Sequence, residues 1–258
     1  MDMSRSAQSR HDDALTKVPA VTLGFWIIKV LATTFGETAG DTLSMSFRFG
    51  YLASTAVFGV VLALLVWAQI RAVRFHPFVY WAAIIASTTA GTTLADFATR
   101  SLGIGYPGGS LLLLGAVLGA LLWWYKAMGS VSVSSVHEPR AELYYWTTIT
   151  FSQTLGTALG DWVADSSLGY LGAAAIFGGL LAVIAIAYFR ASVSHVALFW
   201  AAFVLTRPLG AAVGDFLDKP VAAGGLELSR GGASAVLAIA IVMLIATIPQ
   251  RAGAAGRA

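Results

Sequence analysis

The chain has no cysteine. Disulfides, thiolate metal sites and cysteine nucleophiles are therefore excluded. Charge is scarce too: 11% of the 258 residues are Asp, Glu, Lys or Arg, whereas a soluble domain carries about 25%. Histidine occurs four times, at His11, His76, His137 and His195, with no close metal-ligand spacing. These read as solvated residues. The polar start (Arg5, Arg10, Asp12, Asp13, Lys17) is not followed by a short apolar run with a small-residue cleavage site. It reads as a disordered tail, not a signal peptide.

What remains is apolar. The sequence is 57% hydrophobic, with a mean hydropathy of +0.76, which points to an integral membrane protein. The pI near 9.3 is assigned to basic residues flanking spans, so no nucleic-acid partner is expected. A span needs about 20 mostly apolar residues. Eight stretches qualify: 19–40, 51–71, 78–97, 108–128, 141–162, 169–189, 195–216 and 231–249. The runs are too long for barrel strands and lack their alternation. GIGYPGG (103–109) has no following Lys-Ser/Thr, so it reads as a turn and not a phosphate loop.

Self-similarity organises the chain. FWIIKVLATTFGETAGD (25–41), YWAAIIASTTAGTTLAD (80–96), YWTTITFSQTLGTALGD (145–161) and FWAAFVLTRPLGAAVGD (199–215) align without a gap. The common pattern is W-x9-G-x3-[GA]-D. Each copy lies on an odd-numbered helix, so the copies run parallel. Gly50, Arg71 and His76 also match Gly169, Arg190 and His195 at an offset of 119, which marks a duplicated half. The expected fold is all-α: a polytopic membrane protein of eight transmembrane helices, arranged as four parallel two-helix repeats with internal two-fold pseudo-symmetry. The boundaries follow: a cytoplasmic tail over 1–17, a single membrane domain over 18–250 with repeats near 18–75, 76–136, 137–194 and 195–250, and a second tail over 251–258. Ten basic residues against four on the far side place both termini in the cytoplasm.

Within each phrase the unusual residues share one helix face. In the first copy these are Trp26, Lys29, Thr33, Gly36, Glu37, Gly40 and Asp41. Elsewhere they include Thr88, Thr92 and Asp96; Gln153, Thr157 and Asp161; and Arg207 and Asp215. Lipid cannot satisfy such side chains, so the stripes should face one another across a polar seam. The small residues spaced by four let a neighbouring helix come close. Two readings of the aspartates stand: a carboxylate ring that attracts a cation or passes protons, or turn locks. Arg100 and Lys219 each lie four residues past their aspartate, as a lock requires. Glu37 occurs in the first copy only, and Lys29 and Arg207 are its candidate counter-charges. Pro208 should kink its helix. The four tryptophans read as packing or interfacial belt residues.

Four tandem repeats, each with two spans and a tryptophan, resemble a family of bacterial membrane-anchored proteins defined by that repeat. The resemblance covers residues 18–250 and implies a multi-pass protein of the bacterial inner membrane; it brings no activity with it. The expected function is a small transporter or channel for a cation or proton-coupled solute. Glu37, Asp41, Asp96, Asp161, Asp215, Thr33, Thr88, Gln153, Lys29 and Arg207 would form the pathway. The alternative is a non-transporting membrane scaffold or regulatory protein. Glu37 and Asp41 are the best metal candidates, since oxygen donors suit hard cations. No enzyme activity and no cofactor are expected. The lipid bilayer and a cation or small solute are the expected partners.

Overall fold

The structure is a computed structural model that describes residues 15–254. Eight long helices form where the apolar runs predict them. They are α1 (Leu23–Asp41), α2 (Gly50–Arg71), α3 (Pro77–Asp96), α4 (Gly105–Met128), α5 (Pro139–Ala164), α6 (Gly169–Arg190), α7 (His195–Asp218) and α8 (Arg230–Thr247). Strand β1 (Leu15–Pro19) and strand β2 (Ala252–Ala254) flank them. Local sequence sets the ends. Phe25 N–H donates to the Thr22 hydroxyl at 3.3 Å, an N-cap. Pro77 and Pro139 open α3 and α5, where a missing N–H costs nothing. Gly50 and Gly169 take φ of +74° and +62° where the chain turns into α2 and α6. Only glycine adopts that conformation freely, which explains why these two positions match across the halves.

The inner helices α1, α3, α5 and α7 form a closed ring: α1 packs on α3, α3 on α5, α5 on α7 and α7 on α1. Each outer helix packs mainly on the inner helix of the following repeat: α2 on α3, α4 on α5, α6 on α7. The last outer helix, α8, packs on α1 and completes the circle. β1 and β2 pair antiparallel and bring the two ends of the described chain together. Lys17 then ties this clasp to the bundle. Its Nζ donates to the Ile70 carbonyl at 2.9 Å and pairs with Glu142 at 2.7 Å. Burial raises the Glu142 carboxyl above its ordinary value, and Lys17 opposes the rise.

One contact rule builds the ring. Count the phrase tryptophan as position zero. The glycine at position ten of each copy lies against the position-seven side chain of the next copy. Gly36 meets Thr88, Gly91 meets Gln153, Gly156 meets Arg207 and Gly210 meets Thr33. One turn later, Gly40 meets Thr92, Gly160 meets Ala211 and Gly214 meets Glu37. The aromatic pairs obey the same cycle. Phe25 packs on Trp81 at 5.4 Å, Tyr80 on Trp146 at 5.7 Å, Tyr145 on Trp200 at 6.2 Å and Phe199 on Trp26 at 5.8 Å. The tryptophans are thus packing residues; Trp81, Trp146 and Trp200 are buried.

The structure corrects several expectations. In place of eight transmembrane helices, six helices among the described residues are long and apolar enough to cross a membrane, by length and composition. α1 and α5 are not among them, because their buried faces are crowded with Lys, Glu, Asp, Gln and Thr. The polytopic assignment is overturned as well, together with the lipid bilayer as partner and the bacterial inner membrane, with cytoplasmic termini, as address. The overturning finding is the interior. Buried ion pairs join helices far apart in sequence, such as Arg207 with Glu37 and Lys219 with Asp41, and give the packing of a globular helical-repeat bundle. Of the tail expected over 1–17, residues 1–14 lie outside the described residues, while 15–17 belong to β1. In the tail over 251–258, residues 255–258 lie outside them and Ala252–Ala254 form β2. Pro208 sits inside α7, which runs unbroken from His195 to Asp218.

The glycine rule is testable. A Cβ at Gly156 would overlap the root of the Arg207 side chain, whereas one at Gly115 in α4 meets nothing within 4 Å. Gly156→Ala should lower stability by about 1–3 kcal/mol through overpacking. Gly115→Ala should raise it by up to about 1 kcal/mol through helix propensity. Chemical denaturation of both variants decides the point, and equal effects would refute the rule.

Candidate functional site

The ring interior is layered by phrase position. At the tryptophan end lies the aromatic layer. Above it, position three holds Lys29, Ile84, Ile149 and Phe203. Position seven holds Thr33, Thr88, Gln153 and Arg207; position eleven holds Glu37, Thr92, Thr157 and Ala211. All eight of these are buried. The four aspartates close the far end.

Arg207 is the hub of the middle. Its side chain is fully buried, and the bare backbone of Gly156 makes room for it. Its Nη2 lies 2.8 Å from Glu37 Oε2, 2.6 Å from Thr92 Oγ1 and 2.5 Å from Thr157 Oγ1, so three acceptors share its two N–H groups. Nη1 reaches the Thr33 carbonyl at 3.4 Å. One guanidinium thus touches all three other repeats. Charge-assisted bonds of this kind are the strong ones. Thr33 spends its hydroxyl on the Val30 and Thr206 carbonyls. The Thr88 hydroxyl and both amide atoms of Gln153 are buried without a hydrogen-bond partner among the described residues.

At the aspartate end two cations act as straps. Arg100 pairs with Asp96 at 2.8 Å and with Asp161 of the next repeat at 3.0 Å. Lys219 pairs with Asp41 at 2.5 Å and with Asp215 at 3.0 Å. Both lie four residues past their own aspartate and reach one repeat ahead, so the straps repeat with two-fold symmetry. Arg230 adds a bond to Asp218 at 3.0 Å. Burial lowers the Lys219 ammonium, but the Asp215, Asp41 and Asp218 charges outweigh it and lift its pKa well above the ordinary value. Asp161 is pushed well above the usual carboxylate range by burial, then by the Asp96 and Glu37 charges, against Arg100.

Charge does not balance here. Six carboxylates, those of Glu37, Asp41, Asp96, Asp161, Asp215 and Asp218, face four cations, Arg100, Arg207, Lys219 and Arg230. Carboxylate oxygens of Glu37, Asp41 and Asp215 lie within 4.8 Å of one another. Asp41 Oδ1 is buried and accepts no hydrogen bond from the described residues. An uncompensated buried charge is costly, so this corner favours a proton or a metal ion.

Of the residues singled out in the sequence, Glu37, Asp41, Asp96, Asp161, Asp215, Thr33, Thr88, Gln153 and Arg207 face the ring interior. Lys29 stands apart, beside the aromatic layer. Its Nζ lies 3.4 Å from Thr206 Oγ1 and 4.2 Å from the Phe203 ring centre, so Glu37 is paired by Arg207 alone of the two candidates. Sequence reasoning missed Asp218 and Arg230, which sit outside the phrase. It also took the aspartate locks to be local, although the spacing of four was visible. The expectation of a transport channel through a polar seam, and of a membrane scaffold as its alternative, is corrected. Arg207 is held across the ring by Glu37, Thr92 and Thr157, and glycine contacts draw the helices together where a path would run.

The geometry defines a closed ring of four two-helix repeats with a charged interior. The sequence matches the family described as Repeat of Unknown Function (DUF347) at residues 24–75, 79–130, 144–194 and 198–249, and the chain belongs to that family. The membrane-anchored character attached to the resemblance is what the buried ion-pair network corrects. No curated protein matches the chain, and no solved structure does.

Removing Arg207 tests the hub. Arg207→Met strands Glu37 as a buried charge and should cost about 3–5 kcal/mol in denaturant unfolding. Adding Glu37→Gln should restore part of that loss, as expected for coupled neighbours. Strictly additive losses would show that the pair does not interact.

Proposed function

We propose that the protein binds a hard divalent cation at the aspartate end of its ring and acts as a binding protein, not an enzyme. The observation that carries this is the convergence of Glu37, Asp41 and Asp215 within 4.8 Å, with Asp41 Oδ1 buried and unbonded. An all-oxygen donor set suits Mg²⁺, Ca²⁺ or Mn²⁺ better than softer metals. The surplus of carboxylates over cations supplies the charge such an ion would neutralise. Lys219 occupies part of this corner, and its side chain retains 13% exposure. Metal entry would therefore swap the ammonium outward, so that a mobile positive charge replaces a tethered one.

Ligand binding stabilises the folded state by mass action. Mn²⁺, Ca²⁺ or Mg²⁺ should raise the thermal midpoint of the purified chain in a concentration-dependent way. Asp41→Asn should remove that response while leaving the fold intact, as far-UV circular dichroism would report. A midpoint indifferent to all three ions would refute the reading.

A further inference from the structure

A cavity of about 610 Å³ lies between α1, α6 and α7, away from the aspartates. Its walls are mainly apolar and include Trp26, Val30, Leu181, Phe199 and Ala202, with Thr206 the lining residue of α7 farthest along the helix from His195. Ser132 and His195 lie at the opposite end. From His195 to Thr206 is eleven residues, or about 16 Å of helix. The space is therefore long as well as apolar, which suits an extended hydrocarbon body.

Lys29 stands beside Thr206, outside the cavity lining. It is fully buried, and among the described residues its hydrogen-bond partner is the Thr206 hydroxyl, part of the cavity wall, at 3.4 Å. Among the described residues no carboxylate pairs with it; an aromatic face, Phe203, lies 4.2 Å away instead. Burial lowers the Lys29 pKa well below the ordinary lysine value, and the Arg207 charge acts in the same direction. Desolvation and a neighbouring cation are the two devices that make a lysine amine a nucleophile toward carbonyls. A merely structural role would leave the amine unexplained, since an aliphatic side chain would fill the same place without a desolvation cost.

We infer that Lys29 is a Schiff-base site for an elongated apolar aldehyde held in this cavity. The neutral amine nitrogen attacks the carbonyl carbon, and a C–N bond forms. The carbonyl oxygen departs as water, taking both amine protons, and a C=N bond remains. No oxidant or reductant is needed. Thr206 separates amine from cavity and must turn aside as the head group arrives, while the body of the ligand lies along Phe199, Ala202 and Leu181.

The experiment uses the purified full-length chain, decanal as probe, borohydride to trap the imine, and peptide mass mapping. The four lysines, Lys17, Lys29, Lys126 and Lys219, are internal controls. The expected result is a decylated Lys29 peptide in excess over the other three. That signal should be lost in Lys29→Arg and reduced in Ala202→Phe, which narrows the cavity and leaves the amine in place. Excess decanol, which has the same body without the carbonyl, should reduce labelling in the unaltered protein. Labelling spread evenly over the lysines, absent altogether, or insensitive to decanol would overturn the inference, whether or not the variants fold.

Discussion

Everything in the interior depends on one guanidinium. Arg207 enters the ring over the bare backbone of Gly156 and bonds to Glu37, Thr92 and Thr157 on the other three inner helices. It neutralises the one carboxylate at mid-ring and gives three hydroxyl- or carboxylate-bearing helices a common partner. A buried cation with several well-placed acceptors holds its neighbours in one register, because any slip leaves charge unpaired. The fourth repeat supplies the cation and the first supplies the anion, so the interaction also joins the end of the chain to its beginning.

Around that hub the ring uses a single geometric idea four times, with chemistry varied at fixed positions. The glycine at position ten always receives position seven of the next copy, whether that residue is Thr88, Gln153, Arg207 or Thr33. The backbone contact is thus four-fold while the polar content is not. The strap cations, Arg100 and Lys219, occur in the second and fourth copies alone, and each bridges forward to the following aspartate. Approximate four-fold packing and two-fold charge coexist because packing is set by the small residues and charge by what stands four places past each aspartate.

The helices and repeats were legible in the sequence, since long apolar runs and an ungapped phrase leave little freedom. The inward face of the phrase was legible too, from helical periodicity. Pairing was not. That α2 packs on α3 and α8 on α1 depends on the path of short turns, which one sequence does not disclose. The pairing of Glu37 with Arg207 in place of Lys29 depends on which repeat lies beside which. The shared polar face of the phrase suggested residues lining a path, but Glu37, Thr92 and Thr157 are taken up by Arg207. Asp218 and Arg230 escaped notice because they lie past the repeated phrase and meet only through the turn between α7 and α8.

The closed circle has a consequence for how the chain reaches its native state. Helix α1 precedes the other seven in the chain, yet of its three principal neighbours, α3, α7 and α8, two are the helices farthest from it in sequence among the eight. Its lysine, threonines and glutamate must therefore wait, unmatched, while most of the polypeptide is produced. Contacts between such distant segments carry the largest loop-closure cost and slow the search. Ring closure, with α8 laid on α1 and the terminal strands joined, is the natural final step of assembly, and the first helix spends longest in need of protection.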